Sequence, residues 1–120
     1  MNETPTVRRI VANLSVADPS LDAPFWVGML GMGTPMDQGW VVNHSAGGCE
    51  VQLISRDASA PVDSAVSVEV DSVAVLEAVH EQVRAAGWQV VHPLTDEPWG
   101  VRRFFLRTPG GVVVNVLAHP

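Results

Sequence analysis

Lysine and tyrosine are both absent from this 120-residue chain. Without a lysine amine there is no Schiff-base chemistry, and without a phenol one common general acid is missing. A single cysteine, Cys49, leaves no partner for an internal disulfide, which fits a reducing cytoplasm. Basic residues are scarce, seven arginines against thirteen acids, and the net charge is −6. A phosphate backbone needs clustered basic residues, so no nucleic-acid partner is expected. No apolar run approaches the roughly 20 residues that cross a bilayer, so no membrane partner is expected. The first residues, Met1-Asn2-Glu3-Thr4-Pro5-Thr6, lack the basic and apolar regions of a signal peptide. Gly28, Gly31 and Gly33 follow a helical stretch instead of opening one, so they form no phosphate loop.

What is present is an apolar fraction of 47% with 17% charged residues, the balance of a globular chain. The chain also says nearly the same thing twice. Ala46-Gly47-Gly48-Cys49-Glu50-Val51-Gln52-Leu53 recurs as Pro109-Gly110-Gly111-Val112-Val113-Val114-Asn115-Val116, a Gly-Gly turn and then an alternating strand. Each copy closes a unit that begins with a strand ending in Asp, at Asp18 and at Asp71, followed by a helical stretch. Internal repetition fixes architecture, and these two units imply pseudo-symmetry with equivalent side chains converging.

Residues 1–7 read as an N-terminal tail, 8–57 as a first βαβββ module, 58–64 as a polar linker and 65–120 as a second module. In the first, a strand over Val7–Val16 leads to Asp18-Pro19-Ser20, a helix start, and the helix runs to about Leu30. Strands follow over Thr34–Asp37, Trp40–His44 and Cys49–Ile54. In the second, Ala65–Val70 is a strand and Val73–Ala86 an amphipathic helix ended by Gly87. Trp88–His92, Arg102–Arg107 and Val112–Ala118 complete it. Neither module buries enough core alone, so the two should pack together.

A paired βαβββ chain carrying Pro98-Trp99-Gly100-x-Arg102-x-Phe104 and then Thr108-Pro109-Gly110-Gly111 resembles the vicinal oxygen chelate superfamily. That group includes glyoxalase I, bleomycin-resistance proteins, fosfomycin-resistance enzymes and extradiol dioxygenases. The resemblance implies an α+β fold in which the tandem modules form curved, mostly antiparallel sheets around a central cavity, in a homodimer. The name alone fixes no reaction. Metal-dependent members hold a divalent ion with two side chains from each module, usually His, Gln or Glu. The matching positions here are Val11, Gln52, Ala65 and Asn115, two apolar groups and two neutral amides. A divalent cation needs carboxylate or imidazole ligands to repay its dehydration. The chain is therefore closest to the metal-free bleomycin-resistance-like branch, with no cofactor expected.

If Gln52 and Asn115 face inward, alternation adds Glu50, Ile54, Val113 and Leu117, and on the opening strands Asn13, Ser67 and Glu69. Pairing across the last hairpin puts Phe104 beside Asn115 and Arg102 beside Leu117, with Arg103 pointing to solvent. The candidate ligand-binding set is Asn13, Glu50, Gln52, Ser67, Glu69, Trp99, Arg102, Phe104, Asn115 and Leu117. Such an apolar trough with a few amides suits a medium-sized aromatic ligand. Trp99, in a Pro-Trp-Gly loop, reads as a rim or lid, Trp26 as core, and Trp40 and Trp88 as core edge or pocket rim. The four histidines have no metal-ligand spacing, and only His119 shares the parity of the pocket positions. Cys49 reads as a small buried hydrophobe.

These residues point to sequestration of a small, largely apolar or aromatic molecule of the antibiotic or secondary-metabolite type, in the cytoplasm, and leave open whether any catalysis occurs. The alternatives are a metal-dependent lyase, isomerase or dioxygenase retaining Gln52 as a ligand, and a metal-free enzyme with Glu50 or Glu69 as base and Arg102 stabilising an anion.

Overall fold

The computed structural model describes residues 6–120, so most of the expected N-terminal tail lies outside the described residues. The fold is α+β. The strands are β1 (Val7–Ser15), β2 (Gly33–Asp37), β3 (Val41–Ala46), β4 (Cys49–Ile54), β5 (Val66–Val70), β6 (Val90–Asp96), β7 (Arg102–Arg107) and β8 (Val113–Ala118), with one α-helix, α1 (Val73–Ala85). The chain divides into an N-terminal unit, 11–63, and a C-terminal unit, 64–120 together with the start of the chain up to Ile10. The first residues of β1 thus belong to the C-terminal unit, where Thr6 O accepts the amide of Asp71. No helix among the described residues is long and apolar enough to cross a membrane.

In the N-terminal unit the strand order is β2-β3-β4-β1. β4 runs antiparallel to β3 and parallel to β1, with Asn13 opposite Gln52. The long helix expected from Pro19 to about Leu30 does not form. A 3-10 turn over Pro19–Asp22 is followed by a π-helical turn over Pro24–Met29. Pro24 explains the break, because its ring clashes with the preceding turn and it has no N–H to donate. Asp18 caps the first piece through Ser20, and Leu30 N closes the wide turn on Phe25 O. Leu21, Phe25, Val27, Met29 and Leu30 stay exposed, Met29 at 77%. Trp26, expected in the core, is only half-buried and meets Phe25 edge-on.

The C-terminal unit has the order β5-β8-β7-β6, with β5 and β8 parallel and the other pairs antiparallel. Ser72 Oγ caps α1 by accepting the Val75 amide, and Gly87 ends it with φ +76°. Leu76 and Val83 of α1 pack on Val70, Phe104, Leu106, Val116 and Ala118. Each such aliphatic burial stabilises by about 1.5–3 kcal/mol. β6 is the edge strand, and there Pro93 and two bulges are tolerated because one side of the ladder is unpaired.

Candidate functional site

The sheet face opposite α1 is where the C-terminal unit gathers polar side chains, and the β7–β8 register decides which. Phe105, not Phe104, lies opposite Asn115, and Arg103, not Arg102, lies opposite Leu117. The cause is a longer hairpin loop, in which Thr108 N donates to Val112 O, so that Arg107 pairs with Val113. Phe104 is then fully buried against α1, and Arg102 sits on that same side, ion-paired with Glu77 of α1 at 3.3 Å and with Asp96 at 3.1 Å. Neither joins the polar face.

Arg103 takes their place. Expected in solvent, it is buried, and its Nε donates to Glu97 Oε2 at 2.6 Å. His92 Nε2 lies 3.1 Å from the same oxygen. The guanidinium carbon is 5.0 Å from the Trp99 ring centroid and 4.9 Å from that of Phe105. One cation is thereby held between two rings and neutralised by one buried carboxylate, an arrangement that suits Arg because its planar group stacks and forks at once. Trp99, at 36% exposure, covers it from the loop between β6 and β7.

Beside this stack, Asn115 Nδ2 donates to Ser67 Oγ at 3.0 Å. Asn115 Oδ1 is buried and accepts nothing. One row further, Glu69 pairs with Leu117 across the ladder and carries two partners. Arg9 Nε donates to its Oε1 at 2.7 Å, and His119 Nδ1 lies 3.0 Å from its Oε2. Burial acts to raise the Glu69 pKa, but the hydrogen bonds and charges of Arg9 and His119 outweigh it and hold the carboxyl below the ordinary glutamate value. A carboxylate so anchored orients its neighbours better than it takes up protons.

The N-terminal unit presents amides. Gln52 Nε2 donates to Asn13 Oδ1 at 3.0 Å, and Asn43 Nδ2 donates to Glu50. Asn43 is buried with its Oδ1 unpartnered. Glu50 is only half-buried, and its tie to Asn43 commits it as an acceptor. On the opposite side of β3, His44 is buried with Nδ1 3.0 Å from Thr34 Oγ1. Cys49 is exposed, since it opens β4 beside the Gly47-Gly48 turn, and is not the buried residue expected from its flanks.

The resemblance assigns four positions to a divalent ion in metal-dependent members, Val11 and Gln52 in the N-terminal unit and Ala65 and Asn115 in the C-terminal unit, and the residue types there do not match such an ion. Val11 is a buried hydrocarbon, Ala65 is a methyl group, and Gln52 and Asn115 offer only neutral amide oxygens. No carboxylate or imidazole stands among them, and neutral amides alone do not repay the dehydration of a divalent cation. Arg103, placed in solvent by the sequence reading, and Glu97, His92, Arg9 and Asn43 were not expected at a site. An arginine next to two aromatics was the available signal for the first; the others are joined only by tertiary pairing.

The model of the Glyoxalase/Bleomycin resistance protein/Dioxygenase superfamily matches residues 9–116. None of the curated proteins matches the chain. Among solved structures, it is similar to an NAD-dependent benzaldehyde dehydrogenase from Legionella pneumophila, with TM-score 0.75 and 15% identity over 92% of this chain and 99% of that one. It is also similar to a glyoxalase/bleomycin resistance protein/dioxygenase superfamily member from Vibrio splendidus 12B01, with TM-score 0.68 and 22% identity over 94% and 99%. A methylmalonyl-CoA epimerase from Mycobacterium tuberculosis gives TM-score 0.67 at 16% identity over 100% and 93%. At these identities the likeness is one of fold.

Proposed function

The chain belongs to the Glyoxalase/Bleomycin resistance protein/Dioxygenase superfamily, and from that premise we propose that it is a metal-free binding protein for a small aromatic molecule, of the kind found in the bleomycin-resistance branch. The observation that carries this reading is the unpartnered Oδ1 of buried Asn115, set on the same face as Phe105 and the Trp99–Arg103 stack. An unsatisfied buried acceptor costs about 1–3 kcal/mol, which a ligand donor relieves. Asn43 Oδ1 offers the same opportunity in the N-terminal unit. The guest is therefore a planar, largely apolar compound bearing hydroxyl or N–H donors, such as an antibiotic or secondary metabolite. The exposed apolar side chains of 21–30 support a homodimer, and the lone cysteine supports a cytoplasmic setting.

Tryptophan fluorescence titrated with a panel of hydroxylated aromatic compounds tests the reading. Saturable quenching is expected, and Asn115→Leu should weaken it about tenfold, the loss of roughly one hydrogen bond. No quenching by any member at millimolar concentration sinks the proposal.

A further inference from the structure

Glu69 and His119 are brought together from positions 50 residues apart, and the pair stands outside the Trp99–Arg103 stack. The geometry fixes their division of labour. Glu69 has 11% of its side chain exposed and is ionised by its two partners, whereas the His119 side chain is 53% exposed. With Nδ1 turned to the carboxylate, a neutral His119 carries its proton there and presents the lone pair of Nε2 outward. A carboxylate that fixes an imidazole tautomer also stabilises the imidazolium formed when that ring takes a proton. Arg9, on the other oxygen of Glu69, keeps the cluster from gaining net negative charge.

We propose that His119, oriented by Glu69, takes the proton of an electron-poor phenol or enol bound by this protein, so that the ligand is held as its anion. The proposal rests on the binding reading above and names the class of guest. In the neutral ring Nε2 accepts, so it selects a hydroxyl donor over an ether or ketone. A carboxylate guest arrives without a proton to give and would place a second anion beside Glu69. An aliphatic alcohol is too weak an acid to surrender its proton. A phenol, by contrast, titrates near 10 when unperturbed, and electron-withdrawing groups bring it toward imidazole. In the transfer the ligand O–H bond breaks, an Nε2–H bond forms, and phenolate faces imidazolium. No other reactant is needed.

The 120-residue chain and 4-nitrophenol test this, because the phenolate absorbs at longer wavelength than the phenol. At a pH below the midpoint of the free probe, adding the protein should raise the phenolate band in step with the tryptophan quenching. His119→Gln, at an exposed position, should still quench but lose the band, and Glu69→Gln should diminish it. The methyl ether, 4-nitroanisole, should quench more weakly and give no band. Quenching by 4-nitrophenol without a phenolate band, or a band that survives His119→Gln, overturns the proton transfer and leaves the binding reading intact. Failure of 4-nitrophenol and of every member of the aromatic panel to quench the wild-type protein removes the two together.

Discussion

The two units share a plan of strands and a helical segment, yet they differ in what covers each sheet. In the C-terminal unit the helical stretch is an uninterrupted α-helix whose Leu76 and Val83 seal a core around Phe104. In the N-terminal unit Pro24 divides the same stretch into a 3-10 turn and a π-helical turn, and five large apolar side chains stay at the surface. Their polar faces differ as well. One carries ionised groups with assigned partners; the other is led by amides. Duplicated strand patterns do not oblige duplicated chemistry. The helix seals one face of one copy, while the interrupted copy leaves its helical turns with apolar surface exposed.

The strongest test of that contrast is to truncate one phenylalanine in each unit. Phe104→Ala empties a site with 0% exposure and should cost about 4 kcal/mol of unfolding free energy. Phe25→Ala, at 46% exposure, should cost less than about 1 kcal/mol. Urea denaturation of both variants gives the comparison directly. Equal losses would mean that the N-terminal helical turns hold a core of their own.

A second comparison sets two neighbouring arginines against each other. Arg103→Ala leaves Glu97 buried without its strongest cation and should cost about 3 kcal/mol. Arg102→Ala gives up pairs with the exposed Asp96 and Glu77, worth about 0–1 kcal/mol. Stability measured on the two single variants separates them. A larger loss at Arg102 would place the β7 register one residue away from where it stands here.

That register is also where reading the residues alone fell short. The strand Arg102–Arg107 was correctly bounded, but its sequence doubles both arginine and phenylalanine, so alternation fits either parity. Leu106, turned to α1 with Phe104, settles the matter, and no local pattern reveals that the helix will claim that side. The closing strands were legible because a Gly-Gly turn precedes alternating apolar residues in each. Parity put Asn13, Gln52, Ser67 and Asn115 on inward faces, but the parallel pairings Asn13–Gln52 and Ser67–Asn115 come from the structure alone. Glu97, in contrast, lies in a loop, and its meeting with Arg103 and His92 depends on bulges in β6 that sequence periodicity does not encode. The long first helix failed for a nameable reason, since Pro24 sits too far along to be its first turn.

The repeated Gly-Gly motif gives the finest comparison. Its letters match, but its backbone does not. Gly47 (φ +58°) is the first residue of a two-residue hairpin loop closed by Ala46 opposite Cys49. In the second copy the positive φ falls on the other glycine, Gly111 (φ +90°), because the loop there runs from Thr108 to Val112. Gly47→Ala and Gly111→Ala should therefore each cost about 1–2 kcal/mol, the strain of a side chain in the left-handed region. Gly110→Ala meets only Thr108 Oγ1 at 3.8 Å, and Gly48→Ala meets nothing within 4 Å. Both should be neutral or stabilising by up to about 1 kcal/mol, since alanine restricts the unfolded chain. Shifts in the denaturation midpoint of the four variants read the pattern. If the two copies instead respond alike, first glycine with first and second with second, their loops share one conformation and the longer β7–β8 connection, with the register it sets for Arg103 and Phe105, is wrong.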